Sequence, residues 1–97
     1  MIVELRKSNR RDKRYMATFD GKKTIHFGAK DGETFIDHKN NIKKSAWIAR
    51  HKVREDWNNI STPGALSKHL LWNRETLRAS IRNTEKRFNL NIKYRYG

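Results

Sequence analysis

Arg50-His51-Lys52, Glu55-Asp56-Trp57, Thr62-Pro63-Gly64 and Leu70-Leu71-Trp72 punctuate the stretch from residue 50 to 72, which holds two of the three tryptophans and the single proline. Thr62 before Pro63 is a helix start, because the threonine oxygen accepts an orphan backbone N–H and proline at the first position has none to lose. The stretch therefore reads as a helix end near Trp57, a turn, and a second helix from Pro63. Ala65, Leu66, His69 and Leu70 form the inner face of that helix, and Leu71 and Trp72 end it at Asn73. The link is longer than the three or four residues of a DNA-reading helix-turn-helix, and the second helix is short and only modestly basic.

Upstream, Asp37 reads as the cap of the first helix, following a short extended piece at Thr34, Phe35 and Ile36. At about 100° per residue, Ile42, Ala46, Ala49 and Val53 fall on one stripe with Trp57 at its continuation, and that stripe is expected to face a sheet. Trp47 lies off it, on the flank of Lys43, Arg50 and Arg54. Two readings follow for Trp47. It stacks on a base while its neighbours take phosphates, or it packs under the N-terminal strand or the last helix.

The sheet comes from the first third of the chain. Ile2, Val3 and Leu5 begin a strand; Tyr15, Ala17 and Phe19 alternate with Met16 and Thr18 in a second; Ile25 and Phe27 alternate with Thr24 and His26 in a third. Asp20-Gly21 between the last two is the strongest turn signal present. Six of the nine residues from Arg6 to Arg14 are cationic, so the first hairpin loop reads either as a solvated tip or as a finger whose Arg10, Arg11, Lys13 and Arg14 meet phosphate. The glycines of Gly28 to Gly32 indicate an irregular loop. Without a following Gly-Lys-Ser/Thr they are no phosphate cradle.

Beyond residue 73, a helix is expected over about Arg74 to Phe88, with Leu77, Ile81 and Phe88 inward. Arg74, Arg78, Arg82 and Lys86, four residues apart along one flank, make the best candidate for a phosphate-tracking ridge. Leu90 to Tyr96 alternates in type and reads as a strand that adds an edge to the sheet or extends onto a partner. The whole is one small basic α+β domain, residues 1–97: a three-stranded antiparallel meander (1–36) against two to three helices (37–88), with a C-terminal strand or tail (89–97).

The composition sets the class of function. Lys and Arg number 23 against 10 Asp and Glu, a net charge of +13, which calls for a polyanionic partner: nucleic acid first, then an anionic membrane face or acidic protein. No apolar run approaches the roughly 18 residues of a membrane span, and Met1-Ile2-Val3-Glu4 does not read as a signal peptide. There is no cysteine, hence no disulfide, thiolate nucleophile or cysteine zinc site. His26, His38, His51 and His69 are too far apart in sequence for ordinary metal-ligand spacing. The acids are scattered, and the serines carry no nucleophile motif, so neither an enzyme, a cofactor nor a small-molecule substrate is expected.

Ordered blocks of the chain, Phe19-Asp20-Gly21-Lys22, Thr24 to Lys30, Ile36-Asp37-His38-Lys39, Arg50-His51-Lys52, Asp56-Trp57, Thr62, Gly64, Ser67, Leu70 to Asn73 and Ser80-Ile81, resemble a family of small basic proteins. These are encoded by giant nucleocytoplasmic large DNA viruses of algae and amoebae, and the resemblance spans about Tyr15 to Phe88. Family members often carry an alanine and then aromatics in the Thr-x-Gly segment, where this chain has Pro63, Ala65, Leu66 and His69. The resemblance implies a viral setting, synthesis in the host cytoplasm and a place in the virion, and transfers no catalytic residue. The leading expectation is a non-enzymatic, virion-packaged protein that binds nucleic acid or another polyanion largely without sequence preference. The alternative is a minor capsid or cement protein contacting acidic capsid protein or the inner membrane, with Tyr94 and Tyr96 docking a neighbour.

Overall fold

Asp20 and Gly21 both take positive φ, 50° and 69°, and the Lys22 N–H closes on the Phe19 carbonyl at 2.9 Å. Positive φ at both central positions suits the right-handed twist of the flanking strands, and glycine at the second avoids the Cβ penalty. The turn joins β2 (Lys13–Phe19) to β3 (Lys23–Ala29) in an antiparallel pair that runs from Phe19↔Lys23 to Lys13↔Ala29. β1 (Ile2–Lys7) lies antiparallel on the other side of β2, and β4 (Asn91–Arg95) lies parallel to β1, giving the order β3-β2-β1-β4. The structure, a computed structural model, describes residues 1–95. Tyr96, assigned to the final strand from its sequence, lies outside the described residues.

The architecture is thus α+β, with the expected N-terminal meander and a C-terminal strand in the same sheet. A parallel neighbour cannot be reached by a tight turn, so the whole helical section is the crossover that carries the chain back to β1. Along the strands the burial alternates as the pleat requires. Val3, Leu5, Ala17, Phe19, Ile25 and Phe27 are buried, while Thr24 is exposed and its hydroxyl lies 2.9 Å from that of Thr18 on the outer face.

Against the inner face packs the centre of the fold. Thr62 Oγ1 accepts the Ala65 N–H at 3.2 Å, starting α3 (Pro63–Leu66) as the Thr-Pro pair demands. The chain then widens into a π-turn, Ser67–Leu71, closed by Trp72 N–H onto the Ser67 carbonyl at 3.1 Å. Ala65, Leu66, His69, Leu70, Leu71 and Trp72 are all buried. The reason is position, since this segment lies between β3 and the last helix, α4 (Leu77–Phe88), and touches both.

Three local expectations are corrected. Of Thr34 to Ile36 only Thr34 is extended: Phe35–His38 is a single helical turn, α1, with Thr34 as its N-cap. Asp37 is not the cap of the following helix but the third residue of α1, where its Oδ2 accepts from the Thr34 N–H at 2.9 Å and the Thr34 hydroxyl at 3.0 Å. Asn40 caps α2 (Asn41–Lys52) instead, its Oδ1 accepting from Ile42 and Lys43 N–H. The third correction concerns orientation. The stripe expected to face the sheet faces solvent, with Ile42 81% and Val53 83% exposed and Ala46 and Ala49 exposed between them. The opposite side, Trp47, Ile48 and His51, is half-buried. One indole offers more apolar area than the alanines of the other stripe, and two further tryptophans wait for it, so the helix turns that way.

Candidate nucleic-acid interface

The ridge expected on the last helix depends on how α4 is held. Thr76 caps it, accepting the Ala79 N–H at 3.1 Å, and the Ser80 hydroxyl accepts the Arg74 N–H at 3.0 Å. Arg74 therefore belongs to the turn before the helix and not to its first turn, a correction to the expected start. Thr84 Oγ1 lies 2.8 Å from the Ser80 carbonyl and 3.1 Å from the His69 carbonyl, while Asn73 Nδ2 donates to the His69 carbonyl and to Asn83 Oδ1. Ser80 and Thr84 are fully buried beside Ile81, with Leu77 and Phe88 half-buried. Their hydroxyls hide them from a reading that looks for apolar periodicity.

With that side pinned inward, Arg74, Arg78, Arg82 and Lys86 are all exposed. Among the described residues no acid lies within ion-pair distance of any of the four. Glu85, the acid between Arg82 and Lys86, is committed elsewhere, accepting the Ile92 N–H at 2.9 Å. A groove of about 550 Å³ floored by Leu77, Ile81, Ile92 and Tyr94 runs along one side of the ridge beside Arg78 and Arg82. Arg74, Arg82 and Lys86 border a more open one of about 640 Å³ on the other. The sequence assigns Tyr94 of the first groove to a docking tail; its place beside the ridge follows from β4 pairing with β1, which no local pattern reveals.

The other candidate cations separate by their partners. Arg14 is structural: its guanidinium meets Asp37 Oδ2 at 2.8 Å and Thr34 Oγ1 at 3.2 Å, clamping α1 to β2. Burial pushes the Asp37 carboxyl up, but the Arg14 hydrogen bond, the two Thr34 hydrogen bonds and the Arg14 charge outweigh it and hold the pKa below the usual 3.8. Arg10 pairs loosely with Asp12 at 3.6 Å, and Arg11, at the loop tip, is exposed and has no ion pair among the described residues. Lys43 pairs with Glu33 at 3.1 Å, whereas Arg50 and Arg54 are exposed and have no ion pair among the described residues.

Lys13, Lys43 and Arg50, from the hairpin and α2, meet around a cleft of about 550 Å³ whose walls include Trp47, Trp72, His38 and His51. Trp47 is not a free platform there. Its ring lies parallel to Trp72 (5.0 Å, 9°) and Trp57 (6.2 Å, 9°), and His51 stacks on it at 4.2 Å. Of the two readings of Trp47, packing within the fold describes its contacts, although its partners are the other two tryptophans and not the N-terminal strand. The His51 Nδ1–H donates to the Trp47 carbonyl at 2.9 Å. His38 Nδ1 accepts the Asn40 N–H, so a neutral ring carries its proton on Nε2, which is shielded from solvent and has no hydrogen-bond partner among the described residues.

Positive charge crowds where α2 and the π-turn approach the ridge. The Lys44 ammonium is depressed below its ordinary pKa by burial and then by Arg74, and that of Lys68 by burial, Arg87 and Lys44. An anion placed here relieves like-charge repulsion as well as gaining its own contacts. Among the described residues no three His, Cys, Asp or Glu side chains gather to hold a metal ion, and no helix is long and apolar enough to cross a membrane.

Neither curated proteins nor solved structures give a significant match. A family model matches residues 3–51, from β1 to the next-to-last residue of α2 and so without the α4 ridge, and by that match the chain belongs to a family of unknown function, DUF5754.

Proposed function

We propose that this protein is a non-enzymatic, virion-packaged protein of a large DNA virus that binds nucleic acid through phosphate contacts, largely without regard to base sequence. The observation that carries the binding reading is the α4 ridge: Arg74, Arg78, Arg82 and Lys86 stay exposed and, among the described residues, without an ion pair, whereas Arg14 and Lys43 elsewhere are matched by acids. On the helix, Arg78, Arg82 and Lys86 follow one another at about 6 Å along the axis, with Arg74 in the turn before it, a row suited to following a phosphate backbone. The viral setting rests on the ordered residue blocks between Tyr15 and Phe88 described above. The ridge offers no side chain able to pair bidentately with adenine, and its arginines suit phosphate as well as guanine, so affinity comes mainly from charge.

The test is fluorescence anisotropy of a short labelled duplex and a single strand, titrated over salt, beside the Arg74→Glu/Arg78→Glu/Arg82→Glu variant. Neutralising four phosphates predicts a slope of log K against log salt of about −3 to −4 on duplex. Sub-micromolar binding with that slope, lost in the variant, is the expected result. Weak binding at physiological salt that the variant leaves unchanged overturns the reading.

A further inference from the structure

α2 carries two apolar faces on opposite sides, and the fold uses one of them. Trp47, Ile48 and His51 turn inward; Ile42, Ala46, Ala49 and Val53 turn outward, with the two larger side chains more than four-fifths exposed. Isolated exposed aliphatics are ordinary, but four at helical spacing along one line form a contiguous patch. Two bulky residues about 16 Å apart with two alanines between them leave a shallow saddle, across which another helix can approach to about 8 Å between axes.

The charges around the saddle select its occupant. α2 contains no acid: Arg50 lies along one side, continued by Arg54 just beyond the helix, and Lys52 lies on the other. Among the described residues Lys43 is the flanking cation already neutralised, by Glu33. A second copy would bring the same cations and a net charge of +13 against them. A phosphate backbone would satisfy the cations but leave Ile42 and Val53 without apolar surface to cover them. We infer that the outer face of α2 docks an amphipathic helix of an acidic partner protein, its apolar stripe seated between Ile42 and Val53 and its carboxylates against Arg50, Arg54 and Lys52. This site is separate from the α4 ridge and does not depend on what the ridge binds.

The experiment uses the full chain and a fluorescent helical peptide of about four turns, with leucines on one face and glutamates on the flanks. Two control peptides replace the leucines by serine or the glutamates by lysine. Protein variants are Ile42→Ser/Val53→Ser, both at exposed positions so that the fold is retained by circular dichroism, and the ridge variant Arg74→Glu/Arg78→Glu/Arg82→Glu. The leucine-glutamate peptide is expected to bind wild type at least about tenfold more tightly than either control. The serine double variant loses about tenfold, the equivalent of about 1.4 kcal/mol of apolar contact, and the ridge variant keeps most of the affinity. Equal binding of the leucine-free peptide, or no loss in the serine variant, overturns the inference and leaves charge attraction alone. A dimer in sedimentation that Ile42→Ser/Val53→Ser dissolves overturns it in favour of a second copy. Loss of duplex affinity in the same variant overturns it in favour of nucleic acid.

Discussion

Trp47 and Trp72 lie with ring planes 9° apart and centroids 5.0 Å apart, and this stack ties α2 to the centre of the fold. α2 has no fully buried residue of its own, so the indole carries most of the apolar contact that holds the helix in place.

Trp47→Ala is therefore expected to cost about 2–3 kcal/mol, below the range for a fully buried indole because the side chain is half-exposed. Ile42→Ser, on the outer face of the same helix, is expected to stay within about 0.5 kcal/mol. Urea denaturation of the two variants decides the matter. A larger loss for Ile42→Ser than for Trp47→Ala would show that α2 is turned the other way.

Arg14 and Arg82 are both phosphate candidates in the sequence, and their partners separate them. Arg14→Gln should lower stability by about 0.5–1 kcal/mol, a modest figure because Asp37 is partly solvated, and leave the salt dependence of duplex binding unchanged. Arg82→Gln should leave stability within about 0.5 kcal/mol and reduce the salt slope by about 1. The Asp37 pKa is held below 3.8 in the folded state. Below that pH the unfolded chain takes up the proton first, so this contribution is present above 3.8 and lost as pH falls toward the folded value. Acid titration of Asp37→Asn should lack that part of the fall.

His69 titrates in a higher window. It is 1% exposed and its Nε2–H donates to the Trp57 carbonyl at 2.8 Å. Burial depresses its pKa below 6.5, aided by Lys68 and Arg87 and opposed by the Trp57 hydrogen bond. The unfolded state therefore binds more protons just below 6.5, and stability declines as pH falls from there toward the folded pKa. Unfolding free energies of wild type and His69→Gln measured between neutral and mildly acidic pH should differ in slope, with the variant flatter. Parallel slopes would assign the acid sensitivity to other groups.

Gly28 has φ of +78°, and a Cβ there would lie 2.8 Å from Leu71 Cδ1 and 3.2 Å from Arg14 Cβ. Gly28→Ala combines a left-handed strain with overpacking against a fully buried leucine. A loss of about 2–3 kcal/mol is expected in thermal or urea unfolding. Full wild-type stability would mean that the strand end relaxes away from the π-turn.

The elements most legible in the sequence are those whose cause is local. Asp20-Gly21 demands a tight hairpin because its backbone angles suit few other residues. Thr62-Pro63 starts a helix because of one missing N–H, and Ile25-His26-Phe27 alternates because a pleat alternates. The exposed cations at 78, 82 and 86 are likewise readable, since charged side chains on a helix flank stay in water. Local pattern chose the wrong apolar face of α2, the Ile42, Ala46, Ala49 and Val53 stripe, and it did not reveal that hydroxyl-bearing Ser80 and Thr84 form the floor of α4 or that Arg14 serves Asp37. Each of these depends on what another part of the chain supplies at that place: Trp72 and Trp57 for α2, the His69 carbonyl for Thr84, α1 for Arg14. The sequence by itself determined the hairpins, the helix start and the positive charge. The tertiary structure alone decided which side chains are neutralised and which remain for a partner, because burial and ion pairing are set by distance in space and not by spacing along the chain.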